Sequence, residues 1–430
     1  MAKNTNINWR KKMIYQVFPR QYSDTNDFLG VTKDLNRIKA LGTDILYLLP
    51  FHIIGKKDRK GNVGSPYSIY DYYSIDPEYG TLEDLNNLVS KAHDKDMLVM
   101  MDIVINHTSR DSILTQQHPD WFYQNEDKTF RNRVGDWSDI TDFDFSNREV
   151  WDYLIEVLKY WAHYVDGFRC DVAPLIPLDF WKEAKSAVNK INPNLFWLTE
   201  SVHPGFIKYI RDLGYEAHSD AEMYQVFDAC YDYDIDDYFR GYLNGKGTLE
   251  KWLLEVDRQE TMYPKNYIKL RHLENHDQER IGSYFDNRNK LIHLTALNFF
   301  LRGMPFIYAG QEFLNTKRPD LFEYDPIDYD TGEDISKLIK VLSDIHRDDL
   351  ITSGNLYFLN RSEAAVLKYQ NQREVIIGYF DVGTDNRIEA HLKDGVYQNL
   401  IDNTHIVIKD GLIKLDQGPI IIKTTVDNNR

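Results

Sequence analysis

The sequence predicts an α/β fold, a (β/α)8 TIM barrel, with a short loop domain inserted after strand 3 and an antiparallel β domain at its C-terminal end. Two observations predict the barrel. Eight strand-like apolar runs alternate with helical periods, and four of those runs end in chemistry: DIVINH (102–107), GFRCD (167–171), LTE (198–200) and NHD (275–277). A parallel barrel gathers its functional side chains where its strands end. Three acids, Asp171, Glu200 and Asp277, are therefore expected to converge on one pocket.

In chain order the strands are predicted at 13–18, 44–49, 98–105, 167–171, 195–199, weakly at 215–218, then 267–273 and 305–308. Helices fill most gaps between them. Thr81 opens a capping-box-like Thr-Leu-Glu-Asp, followed by Leu82, Leu85, Leu88, Val89 and Ala92 at helical spacing. From Asn147 the set Val150, Leu154, Val157, Leu158, Trp161 and Val165 repeats the pattern before the fourth strand. Between Thr108 and Phe145 the helical period disappears, and a loop this long inside a compact domain is usually functional. After Leu350 the text turns to short β-branched runs at 364–369, 374–380, 406–408 and 420–423, with turns at Asn371, Gly383 and Asp410-Gly411. The predicted organisation is a barrel over 1–107 and 146–349, an inserted loop domain over 108–145, and a C-terminal β-sandwich domain over 350–430.

Composition narrows the partners. The 51 basic and 67 acidic residues leave a formal charge of −16 with no basic run, which argues against a nucleic-acid partner. Tyrosines number 29, and rings with a polar tip suit sugar faces. The N-terminal stretch lacks an apolar segment of signal-peptide length and no run reaches about 18 apolar residues, so no membrane partner and a cytoplasmic location are expected. The two cysteines, Cys170 and Cys230, are too few for a disulfide framework or a thiolate metal cage, and both are expected as reduced core residues.

Strand parity places Arg169 and Asp171 on one face of the fourth strand, with Phe168, Cys170 and Val172 under the outer helices. A guanidinium two residues from a carboxylate is expected to keep it ionised and fix its rotamer, which makes Asp171 a candidate nucleophile. Glu200 follows an apolar strand, so desolvation and neighbouring anions should favour its protonated form and suit it to general acid catalysis. Two carboxylates pushed in opposite pKa directions point to glycosidic bond cleavage, with Asp277, His107 and His276 gripping sugar hydroxyls.

The four segments resemble the short conserved regions of glycoside hydrolase family 13, the α-amylase family. Tyr15–Arg20, Ser65–Tyr72, Ile75–Thr81 and Gly303–Glu312 extend the likeness, so that it covers roughly 13–313. The resemblance implies that Asp171 is the nucleophile, Glu200 the acid/base and Asp277 the stabiliser of the distorted transition state. It implies that Arg169 orients the nucleophile, that His107 and His276 bind sugar hydroxyls, and that Tyr67 stacks under the sugar. Thr141–Phe145 resembles the family's calcium-associated segment, with Asp142 and Asn106 at ligand-like positions. No cofactor is expected to be required, and calcium is left open because Pro174-Leu175 stands where many α-amylases carry Lys-His. Ser68, where exo-acting α-glucosidases often carry Asp, implies a site open on the nonreducing side. The expected activity is retaining hydrolysis of α-1,4 links in maltooligosaccharides or soluble starch fragments. The alternatives are a glucanotransferase, a sucrose- or trehalose-type transglycosylase, and a noncatalytic amylase-like binding protein.

Overall fold

Eight short strands, every one parallel to its neighbours, close into a ring in the computed structural model, which describes residues 5–429 apart from 136, 363, 381–386 and 416–417. They are β1 (Ile14–Val17), β2 (Ile45–Leu48), β3 (Leu98–Ile103), β4 (Gly167–Cys170), β5 (Phe196–Thr199), β6 (Ala229–Tyr231), β7 (Lys269–Arg271) and β8 (Met304–Tyr308). Neighbours in sequence pair in space, and β8 closes on β1 with Phe306 opposite Ile14. Register sets the chemistry early: Asp102 of β3 lies opposite Arg169 of β4, so the two project side by side.

The helices form where the sequence caps and patterns them. Thr81 accepts from the Asp84 N–H while Asp84 accepts from the Thr81 N–H, closing a box before the helix Leu82–His93. Asn147 caps Arg148–Trp161, which buries Val150, Leu154, Val157, Leu158 and Trp161. The helix Arg288–Phe300 is buried on nearly every side, because the barrel covers one face and the C-terminal sheet the other.

One strand lies elsewhere than predicted. Residues 215–218 carry no regular structure; the chain leaves the preceding helix through Gly214 at φ +85° and ties the His218 N–H to the Pro174 carbonyl. The sixth strand is instead Ala-Cys-Tyr at 229–231, too short to carry a period of its own. The insert is also more ordered than its composition implies. Its base is a ladder of His107–Ser109 against Ile140–Asp142, and Ile113–Gln117 forms a single helical turn, shorter than any detectable period.

The C-terminal module is a four-stranded antiparallel sheet in the order β9 (Asn355–Asn360), β10 (Ala365–Gln370), β11 (Glu374–Phe380), β12 (Ile420–Thr425), with two small two-stranded ladders beside it. Alternation splits its faces. Leu367, Tyr369, Ile376, Phe380 and Ile421 join the barrel core, whereas Val366, Val375, Ile377, Tyr379, Ile420 and Ile422 build a second core. Tyr369 stacks edge-on against Phe300 and donates its hydroxyl to the Phe300 carbonyl at 2.9 Å, fastening the module to the barrel. The predicted turns at Asn371 and Asp410-Gly411 are present; the one at Gly383 lies outside the described residues. No helix among the described residues is long and apolar enough to cross a membrane.

Gly303 sits at a close backbone approach in the barrel. At φ +148° a Cβ would stand 2.4 Å from the Lys269 carbonyl oxygen, a backbone atom that β7 pairing holds in place. Gly303→Ala is therefore expected to cost well over about 1 kcal/mol of stability, read as a lower melting temperature, and a variant melting with the wild type would contradict the close approach.

Candidate active site

The C-terminal ends of β3, β4 and β5 place Asp102, Arg169, Asp171 and Glu200 together, and the Arg169 guanidinium is their common partner. Its Nη1 donates to Asp102 Oδ1 at 2.8 Å and to Asp171 Oδ1 at 2.8 Å, while Nη2 lies 3.0 Å from Glu200 Oε1. The rings of Tyr67 and Tyr231 each lie 5.6 Å from the guanidinium carbon. Tyr47 and Tyr67 both donate to Asp102 Oδ2, at 2.6 and 2.9 Å.

Val172, directly after Asp171, sits in the left-handed region at φ +35°, ψ +37°, an outlier for a β-branched residue. The turn aims its N–H at Glu200 Oε2, 2.8 Å away. Strain on the order of 1–2 kcal/mol is thus spent on holding the second carboxylate.

The third acid comes from the loop after β7. Asp277 Oδ2 is 3.0 Å from His276 Nε2, which also lies 2.6 Å from the Tyr67 hydroxyl, and the Gln16 amide nitrogen meets His276 Nδ1 at 3.0 Å. The Tyr67 and His276 rings stack, with centroids 5.6 Å apart. Arg318 donates to the Asp277 carbonyl at 2.9 Å. A cavity of about 430 Å³ opens here, lined by His276, Asp277, Glu279, Arg318 and Phe322. A larger one, about 830 Å³, lies at the opposite end of the barrel around Trp9, Leu98, Leu195 and Asp228, remote from these carboxylates.

The residues predicted from sequence come together, with His107 the least direct. Tyr67, Arg169, Asp171, Glu200, His276 and Asp277 form one chain of contacts, whereas His107 joins it through the backbone of Tyr67. Burial lowers His107 to about 4, so it is neutral in the working range. Asp102, Tyr47, Gln16 and Tyr231 were not singled out in the sequence. Asp102 opens the DIVINH segment, and its inward parity opposite Arg169 was the signal that could have found it.

The raised Glu200 is as expected, whereas the ionised Asp171 and the opposed directions of the two carboxylates need correction. Asp171 is not held low by Arg169: burial raises it to about 7, opposed by Arg169, which is divided among three carboxylates, and reinforced by Asp102. Burial likewise raises Glu200 to about 8, again opposed by Arg169, so the two are pushed in the same direction and titrate as a pair. The acid that lies below its usual range is Asp277. Desolvation raises it, but His276, Arg169 and Arg318 outweigh that, and its side chain, 44% exposed, remains reachable by water in the cleft.

Ser68 does not face the sugar pocket. It is buried, and its hydroxyl donates to the Asp139 carbonyl at 2.9 Å, tying the insert to the hairpin that carries Tyr67. The calcium-like pair, Asn106 and Asp142, is brought together, but an arginine lies between. Arg133 donates through Nε to Asp142 Oδ2 at 3.2 Å, through Nη2 to Asn106 Oδ1, and through Nη1 to the Leu175 carbonyl at 2.8 Å. These oxygens, facing a guanidinium, do not fit a metal ion.

The raised carboxylates make the site a stability cost at high pH. Between the ordinary glutamate value of 4.5 and about 8, native Glu200 holds a proton that the unfolded chain has lost, so its contribution worsens as pH rises through that window. Glu200→Gln should melt a few degrees above the wild type at pH 9, with the gap closing below pH 5. A variant melting at or below the wild type at pH 9 would show that burial does not penalise this carboxylate.

The fold agrees with comparison to known proteins. A family model described as "Alpha amylase, catalytic domain" matches residues 16–353, and "Bacterial Alpha amylase C-terminal domain" matches 358–422. The chain is similar to an α-amylase structure from Lactobacillus plantarum, 43% identical with a TM-score of 0.94, covering 97% of this chain and 100% of that one. It is also similar to the noncanonic maltogenic α-amylase AmyB of Thermotoga neapolitana, 31% identical with a TM-score of 0.86, covering 97% and 100%. Alpha-amylase 3 of Dictyoglomus thermophilum is 28% identical over 74% of this chain and 67% of its own length, whereas the match to MalA of Haloarcula japonica spans 48% of that protein. The chain belongs to the α-amylase family of glycoside hydrolases.

Proposed function

We infer that the protein hydrolyses α-1,4-glucosidic bonds of maltooligosaccharides or soluble starch fragments with retention, through a covalent glycosyl-aspartate. The observation that carries this reading is the seating of Asp171 and Glu200 on the two terminal nitrogens of one guanidinium. Two acids tethered to one guanidinium favour the closely spaced pair of double displacement, which needs carboxyl groups about 5–5.5 Å apart, over the wider spacing of an inverting site.

Asp171 attacks the anomeric carbon while protonated Glu200 gives its proton to the leaving oxygen; the carbon–oxygen bond breaks and a glycosyl ester forms. Glu200 then takes a proton from water, whose oxygen displaces Asp171 and leaves the acid restored. Asp277 and His276 accept and donate to ring hydroxyls, and the Tyr67 ring supplies a face for the sugar. Neutral His107 contributes a hydrogen bond rather than a charge.

Asp171→Asn and Glu200→Gln should fold normally and lose most turnover, the latter by about 10²–10⁴-fold in kcat. Azide should partly restore the Glu200→Gln variant. In the wild type kcat/KM should be bell-shaped, with limbs belonging to the pair, and near wild-type kcat in Asp171→Asn on every substrate would remove it from the nucleophile's role.

Product chromatography after separate incubation with maltose, maltoheptaose, isomaltose, sucrose and starch tests the substrate class and separates hydrolysis from glucanosyl transfer. With a short insert and a cavity continuing past Asp277, longer maltooligosaccharides should be preferred, since remote contacts then lower the barrier. Equal kcat/KM for maltose and maltoheptaose with glucose as sole product would replace this reading with an α-glucosidase.

A further inference from the structure

Four separate pieces of chain meet at Arg133: the end of β3 through Asn106, the returning strand of the hairpin through Asp142, the turn after β4 through Leu175, and the insert itself. The three acceptors are an amide oxygen, a carboxylate and a backbone carbonyl, the mixture of oxygens that a hard divalent cation takes. The carboxylate also accepts the Arg133 backbone N–H at 2.7 Å, and the Asn106 amide nitrogen approaches its other oxygen at 3.4 Å. The cluster is sealed: the Asp142 side chain is fully buried, that of Arg133 is 5% exposed, and the Tyr123 ring covers the guanidinium at 5.6 Å. Val134 beside it packs with Val172, Leu175 and Val202, so the junction between insert and barrel is apolar around a charged centre.

We propose that Arg133 is a built-in cation that holds this junction in place of a divalent metal, and that removing its guanidinium opens a site that takes calcium. A planar fork suits the geometry, because three acceptors in different directions each meet a separate donor, which a spherical ammonium on a lysine stem could not match. One positive charge balances the one carboxylate, so a +2 ion alongside the arginine would be left with excess charge in a buried place. The inference is independent of which sugar the enzyme cleaves.

The test compares the wild type, Arg133→Ala and Arg133→Gln, each freed of metal with chelator and melted with chelator, with millimolar calcium chloride, or with the same concentration of magnesium chloride. Calorimetric titration with calcium accompanies the melts. The wild type should melt alike in all three and bind no calcium. Arg133→Ala should lose several degrees in chelator, recover most of them in calcium but not in magnesium, and show saturable calcium binding. Should the alanine variant not be recovered soluble, Arg133→Gln is read by the same criteria, since it keeps a donor for Asn106 while leaving Asp142 without a cation. A wild type that loses melting temperature in chelator and regains it with calcium would overturn the proposal. So would variants that calcium neither binds nor stabilises, or that calcium and magnesium restore equally, which would be an ionic-strength effect.

Discussion

The Arg169 guanidinium is the constraint on which the rest of the site depends. Buried between two tyrosine rings, it is the contact that Asp102, Asp171 and Glu200 share. Burial alone would lower its pKa, but Asp102 and Glu200 hold it well above the usual arginine value. Removing the one cation of this buried set is the costly change, typically about 3–5 kcal/mol, because the carboxylates are left without compensation. Lysine could not replace it, since only a fork can serve carboxylates from three strands at once. Burial raises both Asp171 and Glu200, and a single positive charge shared among three carboxylates does not offset it, so the pair retains a proton where isolated carboxylates would have none.

Around that centre the protein accepts local cost to keep geometry. Val172 adopts a left-handed conformation so that its N–H reaches Glu200, and Tyr67, His276 and Asp277 form a second chain that meets the first at Asp102. The two chains use different strands, so a shift in one loop would break contacts in the other. Rigidity of this kind suits a reaction in which Glu200 must give up and then regain a proton without moving far.

What the sequence made legible was local. Inward parity of Arg169 and Asp171, the Thr81 cap and the Asn147 helix rest on spacing within a few residues, and the structure has them where the spacing put them. Three residues, Ala229–Tyr231, carry no period, so β6 was misplaced onto a run that only looked extended. Ser68 follows Tyr67 in sequence, but the two lie in a turn closed by the Ser68 N–H on the Ser65 carbonyl, and the Ser68 hydroxyl meets the Asp139 carbonyl instead. The pKa ordering failed for tertiary reasons, the first being burial, which raises Asp171 as it does Glu200. Arg169 seemed to belong to Asp171 because they are two apart, whereas Asp102 and Glu200, distant in sequence, draw on the same charge.

Arg133 carries the same lesson into the insert. Stabilisation by a bound ion rises and falls with its free concentration, whereas a guanidinium delivered by the chain is always present. The cost is that the loop must bring it to the junction, and the ladder pairing His107 with Asp142 does so. Because Asn106 Oδ1 must face that guanidinium, the amide nitrogen is turned toward His107 Nδ1, 3.1 Å away. An amide nitrogen only donates, so Nδ1 accepts and the imidazole proton sits on Nε2. The cation that ties the insert to the barrel therefore also chooses the tautomer of an imidazole at the edge of the cleft, and the two functions cannot be separated without turning Asn106.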